Sequence, residues 1–421
     1  MEAPPQESGV WEGCLQYAAL SDIGMRRMTN QDAYAAVLAS DMEAFARRGH
    51  LFVVADGMGA HAAGELASRL AVDGIPHYYV KHGQETPPWE ALANAFRQTN
   101  ASVHARGEAN LDFHNMGTTA SALLLLPGEA YVAHVGDSRV YRLRGDTLEQ
   151  LTFDHSLVWE LQAAGHVPAG GGGAIPKNII TRSLGPNPEV QVDLEGPYAL
   201  EVGDTFFLCT DGLTGQVDDE EIAEILVHLP PDESARLLVD LANLRGGPDN
   251  ITVVVVRVIG DALATRSGQP VGDARRTGGR RPVHPWVWIA AATLVLLGLA
   301  FLFAGMPLIG LPAWGIALVV LISGWFAAAA QASSPVGGRR FGRGPYRTAR
   351  ADNARRLLTR LDTIARQLFE AAEEHAWDIG EEEFEAAYRQ ANDAAVAERN
   401  GEAFRGYSRL IGRMMNQLRQ M

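Results

Sequence analysis

Five aspartates in this 421-residue chain share a local context. Asp56 in "VVADGMG", Asp137 in "AHVGDSR", Asp211 in "LCTDGLT" and Asp249 in "GGPDNIT" lie at or beside the end of an apolar run, with glycine or asparagine adjacent. Asp32, in "RMTNQDA", directly precedes the apolar "AYAAVLA". A single aspartate at such a place is a turn-former or a helix cap, because its oxygens accept nearby backbone N–H groups. Several of them, each at a strand terminus, suggest carboxylates converging at one end of a sheet. Hard divalent cations take oxygen donors, so this set would hold Mg2+ or Mn2+ through carboxylates, backbone carbonyls and waters. Adjacent glycines let a carbonyl approach the ion. Two ions sharing a bridging carboxylate would activate a water for in-line attack on phosphorus. The chain has no P-loop and no kinase-type Gly-rich loop, so this chemistry needs no bound nucleotide.

The elements that must position these residues are legible in outline. Leu51 to Ala55 is a short apolar run that reads as a core strand ended by Asp56. Further strand candidates are "ASALLLL", "AYVAHVG", "DTFFLCTD" and "ITVVVVRVI". Helix candidates are "HAAGELASRLAVDGIPHYY", "WEALANAFRQTNASVHARG", "HSLVWELQAAG" and "PDESARLLVDLANLR". Consecutive strands lie close along the chain, which favours an α+β domain over regular βαβ winding across residues 11–259. A hydrophobic share of 47% suffices for a packed core. The formal net charge of -14 speaks against general nucleic-acid binding. The only two cysteines, Cys14 and Cys209, argue against a disulfide scaffold or a structural zinc site, and Cys209 reads as a small buried apolar residue. "MEAPPQESGV" has neither the basic region nor the apolar core of a secretion signal.

Composition divides the rest of the chain. Residues 260–284 form a Gly, Pro and Arg linker. Residues 285–330 carry no charge and are long enough for two membrane crossings of roughly 20 residues each, split by "GMPLIGLP". Trp286, Trp288 and Trp314 fall near the expected interfaces. Arginines cluster on both flanks, in the first linker and in a second basic linker over 331–346, while the loop between the spans has none. Positive charge stays cytoplasmic, so both ends are expected inside a multi-pass cell-membrane protein, with one tilted span as the alternative. Residues 347–421 read as a small helical module. Its apolar patterns are Leu357, Leu361, Ile364 and Leu368, then Phe384, Tyr388, Ala391 and Ala395, then Phe404, Tyr407, Ile411, Met414 and Leu418. Asn400-Gly401 suits a tight turn between helices. The module could bind a partner, self-associate or act as a plain cap.

Taken in order, "SDIGMRRMTNQDA", "LFVVADGMGAH", "MGTTASALLL", "AYVAHVGDSRVYRLR", "LTFDHSL", "ITRSLG", "FLCTDGLTGQV" and "GGPDNITVVVV" resemble the type 2C metal-dependent protein phosphatases in their bacterial form. The resemblance runs from about Gln16 to Val258. It implies two packed antiparallel β-sheets flanked by helices, with the metal site at the sheets' edge. It implies two Mn2+ or Mg2+ ions, with a third, looser site. Asp56 would bridge two ions, the Gly57 carbonyl would ligate one, and Asp211 and Asp249 would complete the shell of the second ion. Asp32 would hold a metal-bound water, Arg27 would bind the substrate phosphate, and Asp137 with Asp211 would serve the third ion. The implied function is a membrane-anchored phosphatase acting on phosphoserine and phosphothreonine in proteins, opposing a bacterial Ser/Thr kinase. The alternative is a weak or inactive phosphatase-like scaffold working through its helical tail.

Four departures from the family pattern stand out. Gln31 replaces a glutamate, Ala60 replaces a glycine, Gly215 removes a carboxylate that can assist the third ion, and Met58 stands where eukaryotic relatives carry a histidine. His61 is nearby and reads as a surface residue at a helix start. Residues 159–180 align with the family's variable flap, a substrate-selecting lid or a plain surface loop, in which Gly170 to Gly173 suggest mobility.

Overall fold

The computed structural model describes residues 6–59, 62–83, 86–167, 176, 179–265, 342, 344–375, 377 and 380–420. One compact unit comprises residues 1–271 together with 343–421. The other, 272–342, lies almost wholly outside the described residues, and with it the expected pair of membrane spans over 285–330. Among the described residues, no helix is long and apolar enough to cross a membrane.

The elements run in the order β1 (Gln6–Trp11), β2 (Leu15–Asp22), β3 (Asp32–Val37), α1 (Met42–Arg48), β4 (His50–Met58), α2 (Ala63–His82) and α3 (Pro88–Glu108). Next come β5 (Gly117–Thr118), β6 (Ala120–Leu126), β7 (Glu129–Val135), β8 (Arg139–Arg144), β9 (Thr147–Gln150), α4 (Leu157–Ala163), β10 (Asp193–Ala199) and β11 (Thr205–Cys209). Then follow α5 (Asp211–Thr214), α6 (Asp219–His228), α7 (Pro231–Leu244) and β12 (Ile251–Val258). After the undescribed stretch come β13 (Arg347–Arg350), α8 (Ala354–Glu374), α9 (Glu381–Val396) and α10 (Asn400–Gln420).

The strands form two antiparallel sheets, as expected. One has the order β1-β2-β12-β11-β8-β9-β13. The other has the order β10-β7-β6-β4-β3, with β5 paired to the end of β4. Period-two alternation explains how they stack. Phe206, Leu208, Val254 and Val256 of the first sheet meet Phe52, Val54, Leu123 and Val132 of the second in one apolar layer. Their neighbours Phe207, Cys209, Val253 and Val255 point the other way, into a core shared with α6, α7 and the C-terminal helices. Cys209 is fully buried, as its apolar setting predicts. Each fully buried Leu or Phe contributes about 1.5–3 kcal/mol of transfer free energy, so these two layers dominate the fold's stability.

Four local expectations need correction. Strand β4 does not stop at Ala55. It runs through Asp56 to Met58, because Asp32 pairs with Asp56, and Gly117 and Thr118 pair with Met58 and Gly57. The first strand begins at Gln6, ahead of the expected boundary at residue 11. The segment 347–421 opens as a strand, β13, whose Arg347 to Arg350 pair with Gln150 to Thr147 of β9. The three apolar patterns do form the three helices, and Leu357, Leu361, Phe404, Tyr407 and Ile411 share a core with Ile222, Leu226 and Leu238 of α6 and α7. Asn400 and Gly401 open α10 rather than making the turn before it; the positive φ there belongs to Glu398, at 57°.

Candidate active site

The five aspartates come together because separate chain segments end at the same edge of the two sheets. Asp32 is the first residue of β3 and lies in register opposite Asp56 on β4. Asp56 is held on both sides of its peptide. Its N–H donates to Thr119 Oγ1, and its carbonyl accepts from the Thr119 N–H and the Thr118 hydroxyl, all at 2.9 Å. Asp211 opens α5 directly after β11, Asp249 precedes β12, and Asp137 sits in the turn between β7 and β8. Gly57 follows Asp56 in a place that admits no side chain. A Cβ there would lie 2.1 Å from the Gly64 carbonyl oxygen and 2.6 Å from that of Gln31.

The charges are crowded and starved of donors. Thr210 Oγ1 donates to Asp32 Oδ2 at 2.8 Å. Asp32 Oδ1, Asp137 Oδ1 and Asp211 Oδ1 are buried and accept no hydrogen bond. Burial pushes the Asp56 carboxyl well above the usual carboxylate range, and repulsion from Asp32, Asp211, Asp137 and Asp249 adds to it. Burial likewise pushes Asp32 up to about 7, partly offset by hydrogen bonds from Thr210 and Thr252. Asp137 is pushed up to about 8, by burial first and then by Asp211. Acceptors turned inward without donors, among carboxylates that repel one another, are relieved by a cation. The donor set therefore fits Mn2+ or Mg2+. Among the described residues, no three His, Cys, Asp or Glu side chains close on one ion unaided. A hard ion's shell draws on backbone carbonyls and waters as well, so fewer side chains per ion suffice.

Arg27 stands at the rim, in the loop between β2 and β3. Its Nη2 lies 2.6 Å from Asp249 Oδ2, with side chains 48% and 35% exposed. A pair this open is worth at most about 1 kcal/mol, so the guanidinium can be given up to another anion. The loop around it is stapled by Asn250. Its Nδ2 donates to the Ile23 and Thr29 carbonyls at 2.8 and 3.0 Å, and its Oδ1 accepts from the Gln31 N–H at 2.8 Å.

Thr119, Thr210 and Asn250 are functional supports that sequence reasoning did not single out, although each adjoins a quoted motif residue. A further support lies under Asp137. His155 Nδ1 accepts from the Gly136 N–H at 3.0 Å, and its Nε2 faces Asp193 Oδ2 at 3.0 Å. Of the expected flap, the structure describes α4 and the antiparallel bridge between Ser156 and Ile180 that closes its base. The Arg347 guanidinium of β13 packs 4.1 Å from the centre of the Trp159 ring on α4. Gly170 to Gly173 lie outside the described residues, as do Ala60 and His61. Met58 is the last residue of β4. Gly215 caps α5 with an ordinary helical φ of -71°.

With this geometry in view, comparison with known proteins is specific. The family profile described as protein phosphatase 2C matches residues 25–235. Protein phosphatase PhpP of Streptococcus pneumoniae is 38% identical over 247 residues, covering 58% of this chain and 97% of its own length. Serine/threonine protein phosphatase PstP of Mycobacterium tuberculosis is 38% identical over 249 residues, covering 58% of this chain but only 45% of its own. The crystal structure of the Mycobacterium tuberculosis serine/threonine phosphatase PstP/Ppp superposes with a TM-score of 0.51 at 36% identity, covering 59% of this chain and 100% of that one.

Proposed function

The chain belongs to the protein phosphatase 2C family and is a metal-dependent protein serine/threonine phosphatase using Mn2+ or Mg2+, and on that footing we propose how its residues divide the work and where it acts. The observation that carries the assignment is the set of buried carboxylate oxygens without donors at one sheet edge. Asp56 would bridge two ions, the Gly57 carbonyl would serve one, and Asp211 and Asp249 the other, with Asp137 and Asp211 at a third. Bound ions supply the acidity that activates water and the charge that offsets the phosphoryl oxygens. Arg27 exchanges Asp249 for the substrate phosphate, which its planar fork can grip with two hydrogen bonds. Asp32 keeps one oxygen occupied by Thr210 and offers the other to the attacking water's proton. No covalent phosphoenzyme is needed. Cys209 is buried, its thiol pushed up by that burial, and neither cysteine sits in a Cys-x5-Arg loop.

The substrates are phosphoserine and phosphothreonine in proteins, which a bacterial Ser/Thr kinase must supply. The uncharged stretch 285–330 anchors the enzyme in the cell membrane by two crossings, with the catalytic unit and the helical module cytoplasmic. Support comes from β13, which pairs with β9 and so returns the chain to the unit it left. Phosphate release from a phosphothreonine peptide by the full chain tests the chemistry: it must require Mn2+, stop with chelator and vanish in Asp211→Asn. Single cysteines placed in 305–312, in a background lacking Cys14 and Cys209, test the topology. Labelling of intact cells by an impermeant maleimide is expected there and not in 331–342; the reverse would sink the orientation.

A further inference from the structure

The last turn of α10 reaches the loop that carries Arg27. Arg419 is buried, and so are the two carboxylates it meets, Asp22 and Asp240. Its Nη2 donates to Asp22 Oδ2 and to Asp240 Oδ1, both at 3.0 Å. Asp22 ends β2 and opens the Arg27 loop. Its other oxygen accepts from the Gly24 N–H at 2.8 Å and from Asn243 Nδ2 at 3.1 Å. Gly24 has φ +80°, and a Cβ on it would lie 2.1 Å from the Asp249 carbonyl oxygen. The Met25 N–H donates to the Gly247 carbonyl at 2.9 Å. The loop's entry is therefore wedged against the segment that carries Asp249, and Asn250 holds its exit. Arg27 projects from between these two anchors.

We propose that Arg419 is a positioning residue for phosphate binding: by holding Asp22 it fixes the entry of the Arg27 loop, and with it the reach of Arg27 toward the substrate. The inference rests on the assignment of Arg27 to the substrate phosphate. The guanidinium is the buried donor that bridges the two carboxylates, so its removal leaves Asp22 Oδ2 without that partner. Asp22 must then draw in water or turn toward another donor. Either change alters its grip on the Gly24 N–H, and the loop that Gly24 starts loses its register against Asp249. The C-terminal segment is then part of the active site's support, although Arg419 lies 397 residues from Asp22 in sequence.

The test uses the full chain with Mn2+, a phosphothreonine peptide, and inorganic phosphate as inhibitor. Arg419→Gln is expected to raise the KM for peptide and the Ki for phosphate together, by about 3- to 10-fold, the loss of a partly aligned charge-assisted contact, with kcat within about twofold. Asp240→Asn removes the charge on the other side of the same buried contact but leaves Arg419 on Asp22, so it should lower the melting temperature while holding both constants within about twofold. If Arg419→Gln does not fold, Asp22→Asn takes its place: it keeps an acceptor for Gly24 but turns a donor toward the guanidinium, and the same rise in KM and Ki is expected. Unchanged constants in the folded variant would overturn the proposal, as would an equal rise in Asp240→Asn. Arg27→Ala separates the two levels. If it raises Ki while the Arg419 and Asp22 variants do not, only this inference fails; if it leaves Ki unchanged, the assignment of Arg27 fails and the inference with it.

Discussion

Gly57→Ala is the sharpest single perturbation of this site, because it adds one methyl group and removes no charge. The new Cβ would stand 2.1 Å from the Gly64 carbonyl oxygen, 2.5 Å from the Gly64 carbonyl carbon and 2.6 Å from the Gln31 carbonyl oxygen. All three neighbours are backbone, so none can swing aside as a side chain does. A carbon–oxygen contact relaxes near 3.2 Å, so β4 must part from the start of α2 or the residue leading into β3 by about 1 Å. Overpacking of that size costs about 1–3 kcal/mol of stability. The chemical cost should be larger. The displaced peptide carries the Gly57 carbonyl and adjoins Asp56, and a misplacement of about 1 Å at reacting groups costs roughly 100-fold in rate. The assay is Mn2+-dependent phosphate release from a phosphothreonine peptide, with Mn2+ titrated, alongside urea unfolding. We expect a fall in kcat of about 100-fold and a Mn2+ midpoint displaced to higher concentration in a protein that still folds. Wild-type kcat at the wild-type Mn2+ midpoint would refute both the ligand assignment and the claim that this contact cannot relax harmlessly.

Three further outcomes follow from the same structure. Mn2+ at about 100 times its dissociation constant should stabilise the fold by about 2.7 kcal/mol through mass action, and chelator should reverse this together with all turnover; a melting temperature indifferent to both would contradict a metal site in the carboxylate cluster. Gly215→Asp should be tolerated, since the nearest atom to its Cβ is the Asp211 carbonyl oxygen at 3.2 Å; it should tighten the weakest Mn2+ binding step in calorimetry by about threefold or more, a modest gain of the size one extra carboxylate gives a hard ion, and an unchanged isotherm would remove Asp137 and Asp211 from a third site. His50, fully buried against Trp11 and Phe45 and accepting the Ala39 N–H, has its pKa pushed down from 6.5 to about 4 by burial. Between those values the unfolded chain binds the extra proton, so stability is full above pH 6.5 and falls by about 1.4 kcal/mol per unit as pH drops toward 4; urea unfolding of His50→Asn should lack that slope.

What the sequence made legible were the carboxylates themselves and the sheets behind them. Apolar runs of alternating burial must stop somewhere, and a carboxylate flanked by glycine at several such stops marks one shared edge. The supports were not legible, because their partners are distant. Thr210 serves Asp32 across 178 positions, Thr119 serves Asp56 across 63, and Asn250 serves Gln31 across 219. Nothing local tells such a threonine from one that merely packs in a strand. The extension of β4 past Ala55 failed to show for the same reason: its last rungs come from Gly117 and Thr118, a two-residue strand with no pattern of its own. Arg347 to Arg350, with three polar residues in four, likewise carries no strand signal; it becomes one because β9 presents an open edge to it.

That last pairing constrains the part of the chain whose structure is not described. Residues up to 265 and residues from 344 onward belong to one folded unit. They are joined there by the β13–β9 ladder and by Glu221, which accepts from Arg245 on both oxygens, at 2.6 and 2.9 Å, and from Arg360 of α8 on one, at 2.6 Å. Arg419 adds a third tie, deep beneath the Arg27 loop. A chain that crossed a bilayer once between residues 265 and 344 would leave β9 and β13 on opposite faces. It would strand Arg419 and its two carboxylates without their partners and expose the shared core of Phe404, Tyr407 and Ile411. Each fully buried side chain of that kind represents about 1.5–3 kcal/mol, so several together exceed any tilt or mismatch term that distinguishes one span from two. If the uncharged stretch 285–330 enters a membrane, it must therefore return to the side it left.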